Sequence, residues 1–303
     1  MTISGDIFID EEYSSVTDIA INGFRNSQIH SLDFSRSRIQ RIRDYAFKNT
    51  RNLSEIKFPE TLTTIYQYAF ENSAITSFNL PSSIKTISSW ACLESCTNLI
   101  KFTVKQPNTY YKVEDNCLIE ISTNKLIRAR SDITVFELNV SSIATSAFSN
   151  TNLEKFVSTE HLTSIDKFGF IASRFLKYID FTINNFTEFP KRCFYLCYLL
   201  RSVTIPSSVN NISSYNFASC PNLRRVIYLG STNLSDIDIF DNPSLVKVYV
   251  FRFYPSNFFG KSKVRFILYA DLCICGVNTF FNNNYSCILN SISSSLFFAF
   301  LLD

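Results

Sequence analysis

The sequence predicts an α/β repeat fold, a solenoid whose coils each lay down one strand and return through a short helix or turn. Three observations predict it. An apolar residue is followed five positions later by Phe, once by Cys, in lines that begin at Ile19, Ile42, Ile65, Ile87, Ile143, Ile165, Phe189 and Ile212. The steps between these starts are 23, 23, 22, 56, 22, 24 and 23 residues, and a degenerate copy ends at Phe240. Between the lines an apolar triad recurs at offsets of three and five. Finally, the 303 residues include 30 Phe but 1 Trp, 1 Met, 2 His and 6 Gly, a bias that one aromatic column copied from coil to coil would produce.

Residues 1–18 precede the first line and are expected to cap the array, which repeat stacks require. The stretch Met1 to Val16 has neither a basic start nor the apolar run of a secretory signal. The first block, 19–104, carries the triads Ile29/Leu32/Phe34, Leu53/Ile56/Phe58, Ile75/Phe78/Leu80 and Leu99/Phe102/Val104. Their last residues alternate in and out, the period of a strand with one buried face. Pro59 and Pro81 follow, as does Pro206 in the second block, and proline ends a ladder because it has no amide to donate. The remaining half, Ile-x-x-x-Ala-Phe, spaces its apolar residues as a short helix or helical turn would. One such unit buries too little to fold alone, so only the stack is stable.

The long gap at 105–142 takes the place of one or two coils. Its apolar pieces, Tyr111 to Val113, Cys117 to Glu120 and Lys125 to Arg128, are separated by Asp115-Asn116 and Thr123-Asn124, which reads as a β-hairpin insertion. The preferred role for it is structural, with a binding element raised from the solenoid as the second. The second block, 143–251, continues with Leu176/Ile179/Phe181, Leu200/Val203/Ile205 and Leu245/Val248/Val250. Residues 252–303 form a cap or tail. Their apolar run Leu296 to Leu302 is far shorter than the roughly 20 residues of a membrane span.

The string L-x-x-I-x-(I/F)-P-x-x-(I/V)-x-x-I-x-x-x-A-F-x-x-(C/S/T)-x-x-L, clearest in Leu53–Leu62, Ile75–Ala91 and Leu200–Leu223, resembles the BspA-like class of leucine-rich repeats. The resemblance runs from about Ile19 to Phe251. It implies a right-handed leucine-rich-repeat solenoid with a parallel sheet on the concave face and short helices or turns on the convex face. It also implies a non-enzymatic surface or adhesion protein that binds a protein partner, such as a host or cell-surface protein. Without a visible signal peptide, a cytoplasmic scaffold or adaptor is the alternative.

Chemistry is poorly supplied. Cys92/Cys96 and Cys193/Cys197 have a loose ligand spacing, but no His completes a set. Cys197 and Cys220 share a column with Ser27, Thr50, Ser73, Thr151 and Ser173; such a column calls for a small side chain. Cys193 falls in the Ala column and Cys92 in the Phe column, so buried free thiols are expected, with Cys273, Cys275 and Cys287 left open. His30 and His161 lie in no catalytic context, and there is no glycine-rich phosphate loop. No catalytic, metal or cofactor site and no small-molecule substrate is expected. A net charge of +3 is too small for a nucleic-acid footprint. Six N-x-S/T sequons, at Asn52, Asn139, Asn185, Asn211, Asn233 and Asn284, follow from the Ser and Asn content of the repeat columns.

Binding is expected on the outward strip of the stacked strands. Its middle column reads Asp33, Lys57, Asn79, Thr103, Val157, Asp180, Thr204, Ile227, Tyr249, flanked by Glu55, Lys101, Lys155, Tyr178, Arg225, Leu229, Lys247 and Phe251. The partner-binding set drawn from it is Lys57, Lys101, Tyr178, Asp180, Arg225, Ile227, Leu229, Lys247, Tyr249 and Phe251. The C-terminal end turns aromatic and aliphatic, the composition of interface anchors. A C-terminal cap folding over the same residues is the competing expectation.

Overall fold

Hydrogen bonds between coils, rather than within them, organise the chain. The computed structural model describes residues 3–9, 15–88, 92–232, 234, 239–240, 245–251 and 264–267. Each regular coil makes a main strand, a tight turn, a two-residue strand and a six-residue turn. The main strands form three parallel groups. Ser4–Phe8, Gln28–Asp33 and Glu55–Lys57 make the first, and Ser77–Leu80 with Lys101–Val104 the second. Seven more, from Val135–Phe136 through Lys155–Val157, Tyr178–Asp180, Ser202–Ile205, Arg225–Tyr228 and Lys247–Phe251 to Val264–Ile267, make the third. The short strands stack likewise, Asp18–Ile19, Arg41–Ile42, Thr64–Ile65 and Thr86–Ile87 forming one parallel sheet. On the first pair Asp18 accepts both Nε and Nη2 of Arg41 at 2.7 Å, and these bonds with Arg41, helped by Thr17 and Arg43, lower its carboxyl to about 2.

The return segment is a turn and not the short helix offered as one expectation; no α-helix occurs among the described residues. The residues two before and two after the Phe column are left-handed. The pairs Asn22/Asn26, Tyr45/Asn49, Tyr68/Asn72, Ser146/Asn150, Phe168/Ala172, Arg192/Leu196 and Tyr215/Ser219 all have φ between 52 and 64°. Two such residues in six break any helix, and Asn is the non-Gly residue that best tolerates this region. The turn amides then reach the next coil: Asn22, Phe24 and Asn26 donate to the carbonyls of Asp44, Ala46 and Lys48 at 3.2, 2.7 and 2.9 Å. Side chains repeat the motif, Asn72 donating to Asn49 and Asn49 to Asn26, each at 2.9 Å.

The Phe column is the spine of the core. Phe24, Phe47 and Phe70 stack with centroids 5.2 and 5.0 Å apart. Phe148, Phe170, Phe194, Phe217 and Phe240 form a second stack at 5.0, 5.2, 5.4 and 5.7 Å. Strand phenylalanines meet these rings edge-on, as Phe78 does Phe70 at 5.3 Å and Phe156 does Phe170 at 5.0 Å. Edge-to-face pairs add to the burial of the rings, which accounts for the Phe excess.

Two column assignments need correction. The amide of Phe70 donates to Cys92 just as that of Phe47 donates to Ala69, and Asn72 donates to Glu94 as Asn49 does to Glu71. Cys92 therefore occupies the Ala column, Leu93 the Phe column and Cys96 the small-residue column, because this coil has one extra residue after Ile87. In the last triad Leu245 is 49% exposed, lining an apolar cavity of about 300 Å³ with Phe217, Leu223 and Phe240. Val246 is buried in its place, while Val248 and Val250 keep the inward alternation.

The insertion is not a hairpin but a three-stranded antiparallel meander, Tyr111–Glu114, Cys117–Glu120 and Lys125–Arg128, and its third strand pairs in parallel with Ser142–Ile143. Both faces of the meander are buried. Tyr111, Leu118 and Ile127 pack into the core of the first coils, whereas Cys117, Ile119 and Leu126 pack into that of the later ones. The Tyr111 hydroxyl accepts the amide of Ile87 at 2.7 Å, closing the last short strand of the first coils. The insertion also contains the missed triad Ile133/Phe136/Leu138, so the seven-stranded sheet begins at Val135.

Arg128, 1% exposed, does the work of a missing turn. Its coil has no six-residue return, so the carbonyls of the Ser146–Asn150 turn lack most of the amides that a preceding coil would supply. Ala129 donates its amide to Ala147 at 3.0 Å. The guanidinium donates from Nη1 to Ser146 and from Nη2 to Ser149, both at 2.8 Å. Burial lowers the pKa of Arg128 and raises that of neighbouring Glu94, whose carboxyl is further raised by Glu71 and accepts the Ser146 hydroxyl at 3.4 Å.

Candidate functional site

Register fixes which side chains share the outward strip, because strand residues two apart point to the same side. Asp33 pairs with Lys57, and Asn79 with Thr103. Farther along, Val157, Asp180, Thr204, Ile227 and Tyr249 are consecutive partners, and the backbone of Arg265 continues the row. A second row, two residues earlier on each strand, joins Ser77 to Lys101, and Lys155 to Tyr178, Ser202, Arg225 and Lys247. Between the rows Phe156, Ile179, Val203, Val226 and Val248 turn inward and are buried.

Charges at the two ends of the strip are arranged differently. Lys57 lies 3.2 Å from Asp33 and 3.7 Å from Glu55, a local pairing that raises the lysine pKa. Burial acts against Asp33, but the Ser35 hydroxyl and amide and the Lys57 ammonium outweigh it, and its pKa is lowered. The Thr103 hydroxyl donates to Asn79 at 2.8 Å, and Lys101 is exposed. Asp180 is held by Thr182, whose amide and hydroxyl donate to it at 2.9 and 2.5 Å. Arg225 lies over the Tyr249 ring at 5.6 Å, a cation–π contact that fixes both side chains on the face. Tyr178, Arg225, Ile227, Leu229 and Tyr249 are half-buried, and Lys247 is exposed. Phe251 pairs with Ile267 through its backbone. The expected cap at 252–303 lies outside the described residues apart from the strand Val264–Ile267.

The thiols are elsewhere. Cys92, Cys96, Cys117, Cys193 and Cys197 are buried and Cys220 half-buried, all of them free. Cys96, Cys197 and Cys220 donate to the carbonyls of Phe70, Phe170 and Phe194 in the preceding coil at 3.1 Å, as Ser173 does to Phe148 at 3.2 Å, whereas Thr50 and Thr151 donate to Phe47 and Phe148 of their own coils. Their column is a hydrogen-bonded ladder inside the wall. Burial raises the Cys117 thiol to about 11 and lifts those of Cys92, Cys96, Cys193 and Cys197 as well, so these groups stay protonated. Cys273, Cys275 and Cys287 lie outside the described residues. His30, on the main strand Gln28–Asp33, and His161, on a loop, are exposed, as are Asn52, Asn139, Asn185 and Asn211 of the sequons, on loops and short strands away from the strip. Among the described residues no helix is long and apolar enough to cross a membrane.

The BspA type leucine rich repeat region, in six copies, matches residues 17–140 and 131–247. No curated protein matches the chain. Among solved structures, a leucine rich cell surface protein from Faecalibacterium prausnitzii is similar at a TM-score of 0.61 and 22% identity, with 82% of this chain and 78% of that one covered. The pneumococcal vaccine antigen PcpA gives 0.64 at 21% identity, covering 81% and 74%. A leucine-rich repeat protein from Eubacterium ventriosum gives 0.56 at 19%, covering 81% and 65%. At these identities the likeness is one of fold.

Proposed function

The chain belongs to the BspA-type leucine-rich-repeat family, and from that premise we propose that it is a non-enzymatic module that binds a protein partner through the outward strip of its main strands. In a right-handed solenoid this strip is the concave face. The observation that carries the reading is register: outward side chains from successive strands line up in two rows while every residue between them is committed to the core. Such a face can change its outward residues without disturbing the fold. Ile227, Leu229, Tyr249 and Phe251 supply the apolar and aromatic anchors, with Tyr178, Asp180, Arg225 and Lys247 around them and Lys57 and Lys101 at the far end. In this reading 105–142 joins the two blocks of coils, 19–104 and 143–251.

A surface or adhesion role fits the descriptions of the similar proteins, one a cell surface protein and one a vaccine antigen. Labelling of intact cells with an impermeant reagent separates this from the intracellular scaffold reading. For the binding itself, the intact array is used as bait and its partner identified by mass spectrometry. Changing Ile227, Tyr249 and Phe251 together to Ser then lowers affinity by roughly 100-fold or more, at about 1–2 kcal/mol for each anchor. The unfolding transition stays where it was. An unfolded variant would show that these three side chains are core, and the reading would fail.

A further inference from the structure

The later coils carry a concentration of positive charge that the overall balance conceals. Across the strands from Lys155–Val157 to Lys247–Phe251, and the residue before each, the cations are Lys155, Lys177, Arg201, Arg224, Arg225 and Lys247, and the carboxylates are Glu154 and Asp180. Backbone bonds place these cations on successive coils. Arg201 donates its amide to Lys177 at 2.8 Å, Arg224 to Arg201 at 3.0 Å and Lys247 to Arg224 at 2.7 Å. Lys155, Arg225 and Lys247 belong to one register row, with Tyr178 and Ser202 between them. The equivalent strands of the first coils carry no such excess, Lys57 and Lys101 standing against Asp6, Asp33 and Glu55.

Coils about 4.8 Å apart lie well within a Debye length of about 8 Å, so the fields of these cations add. Both carboxylates are already engaged, Glu154 by Lys177 at 2.9 Å and Asp180 by Thr182. Arg201, Arg224 and Lys247 are exposed; Arg224 donates from Nη1 to the carbonyls of Pro221 and Leu223 at 2.7 and 3.0 Å, and an Arg guanidinium has further donors that a carboxylate accepts. Two residues after Lys155, Arg225 and Lys247 on the same strands lie Val157, Ile227 and Tyr249, and Leu229 follows the end of Arg225–Tyr228; all four are half-buried.

We infer that this half of the strip is the docking surface for an acidic polypeptide segment of the partner, one that alternates carboxylate and apolar side chains. The inference rests on the sheet-face reading above and names the chemistry of what binds there. Carboxylates meet the row of cations, and apolar side chains cover Val157, Ile227 and Tyr249. A polyanion without apolar side chains would leave the second set uncovered. The tyrosines Tyr178 and Tyr249 are three strands apart, with Arg225 over the second, so they form no run of stacking platforms for single-stranded nucleic acid.

The test is fluorescence anisotropy with the full chain and a synthetic twelve-residue peptide alternating Glu with Leu or Phe. Binding is expected to weaken roughly tenfold between about 50 and about 500 mM salt. The combined variant Arg201→Ser, Arg224→Ser, Lys247→Ser weakens it roughly tenfold more at low salt, with unchanged unfolding. The same charge removed at exposed Arg36, Arg51 and Lys85 leaves binding as it was. Equal affinity for the Gln-for-Glu peptide, unchanged affinity in the three-cation variant, or tighter binding of a sulfated polysaccharide or poly(U) RNA would each overturn the inference. If the partner is lost on changing Ile227, Tyr249 and Phe251 but retained by the three-cation variant, the sheet-face reading stands and the acidic segment falls.

Discussion

Replacing Arg128 with Ala is expected to lower the unfolding free energy by about 4 kcal/mol or more, measured by urea denaturation of the full chain. The guanidinium serves the Ser146 and Ser149 carbonyls at 2.8 Å each and lies 3.4 Å from that of Ala147. These are buried turn carbonyls that no preceding turn can satisfy. Leaving a buried acceptor unpaired costs roughly 1–3 kcal/mol, and the empty volume of a fully buried Arg adds to that. Relief of a buried charge offsets part of the loss, because the guanidinium is desolvated without a carboxylate in hydrogen-bond contact. Arg128→Lys separates the contributions: an ammonium keeps the charge but not the fork, so it recovers only part of the stability. If Arg128→Ala were neutral, the turn would have other donors and the arginine would not be the bridge between the two sets of coils.

Phe170→Ala is expected to cost about 3–5 kcal/mol. Phe170 is fully buried and stacks on Phe148 at 5.0 Å and Phe194 at 5.2 Å, with Phe156 edge-on at 5.0 Å. Its loss opens a cavity inside a stack that cannot close without bringing neighbouring coils out of register. Phe24 makes the fair comparison. It occupies the same column, but it is only half-buried and stacks on Phe47 alone among the column rings. Phe24→Ala should therefore cost well under half as much. Equal costs at the two positions would mean that the rings act as isolated core residues and not as a stack.

Most of the coil was legible in the sequence because its determinants are local and repeated. The Phe column, the inward triads and the small-residue column follow from spacing, and all three line up along the solenoid. The return turn was ambiguous for a physical reason: Ile-x-x-x-Ala-Phe suits a helical turn, and only the Asn at Asn26, Asn49, Asn72 and Asn150 hinted at left-handed backbone. Cys92 was read into the Phe column, where Leu93 stands, because one added residue shifts the offset without altering composition. The triad Ile133/Phe136/Leu138 obeyed the rule and could have been found by spacing alone. Arg128 could not, since nothing in Lys-Leu-Ile-Arg says that a cation will replace amides from a turn that is absent. The outward rows were readable as positions. The row of Lys177, Arg201 and Arg224 was missed because these residues precede the strands and their alignment depends on backbone pairing between coils.

Hydrogen exchange resolved to single amides tests the stacking of the coils most directly. The turn amides of Phe47, Phe70, Phe170 and Phe194 donate to Ala69, Cys92, Cys193 and Asn216 of the following coils at 2.7, 2.9, 3.0 and 3.1 Å. Although they lie in turns, they should exchange as slowly as the amides of the main strands, opening only when neighbouring coils separate. Rapid exchange at these four positions, with protection confined to the strands, would contradict the account.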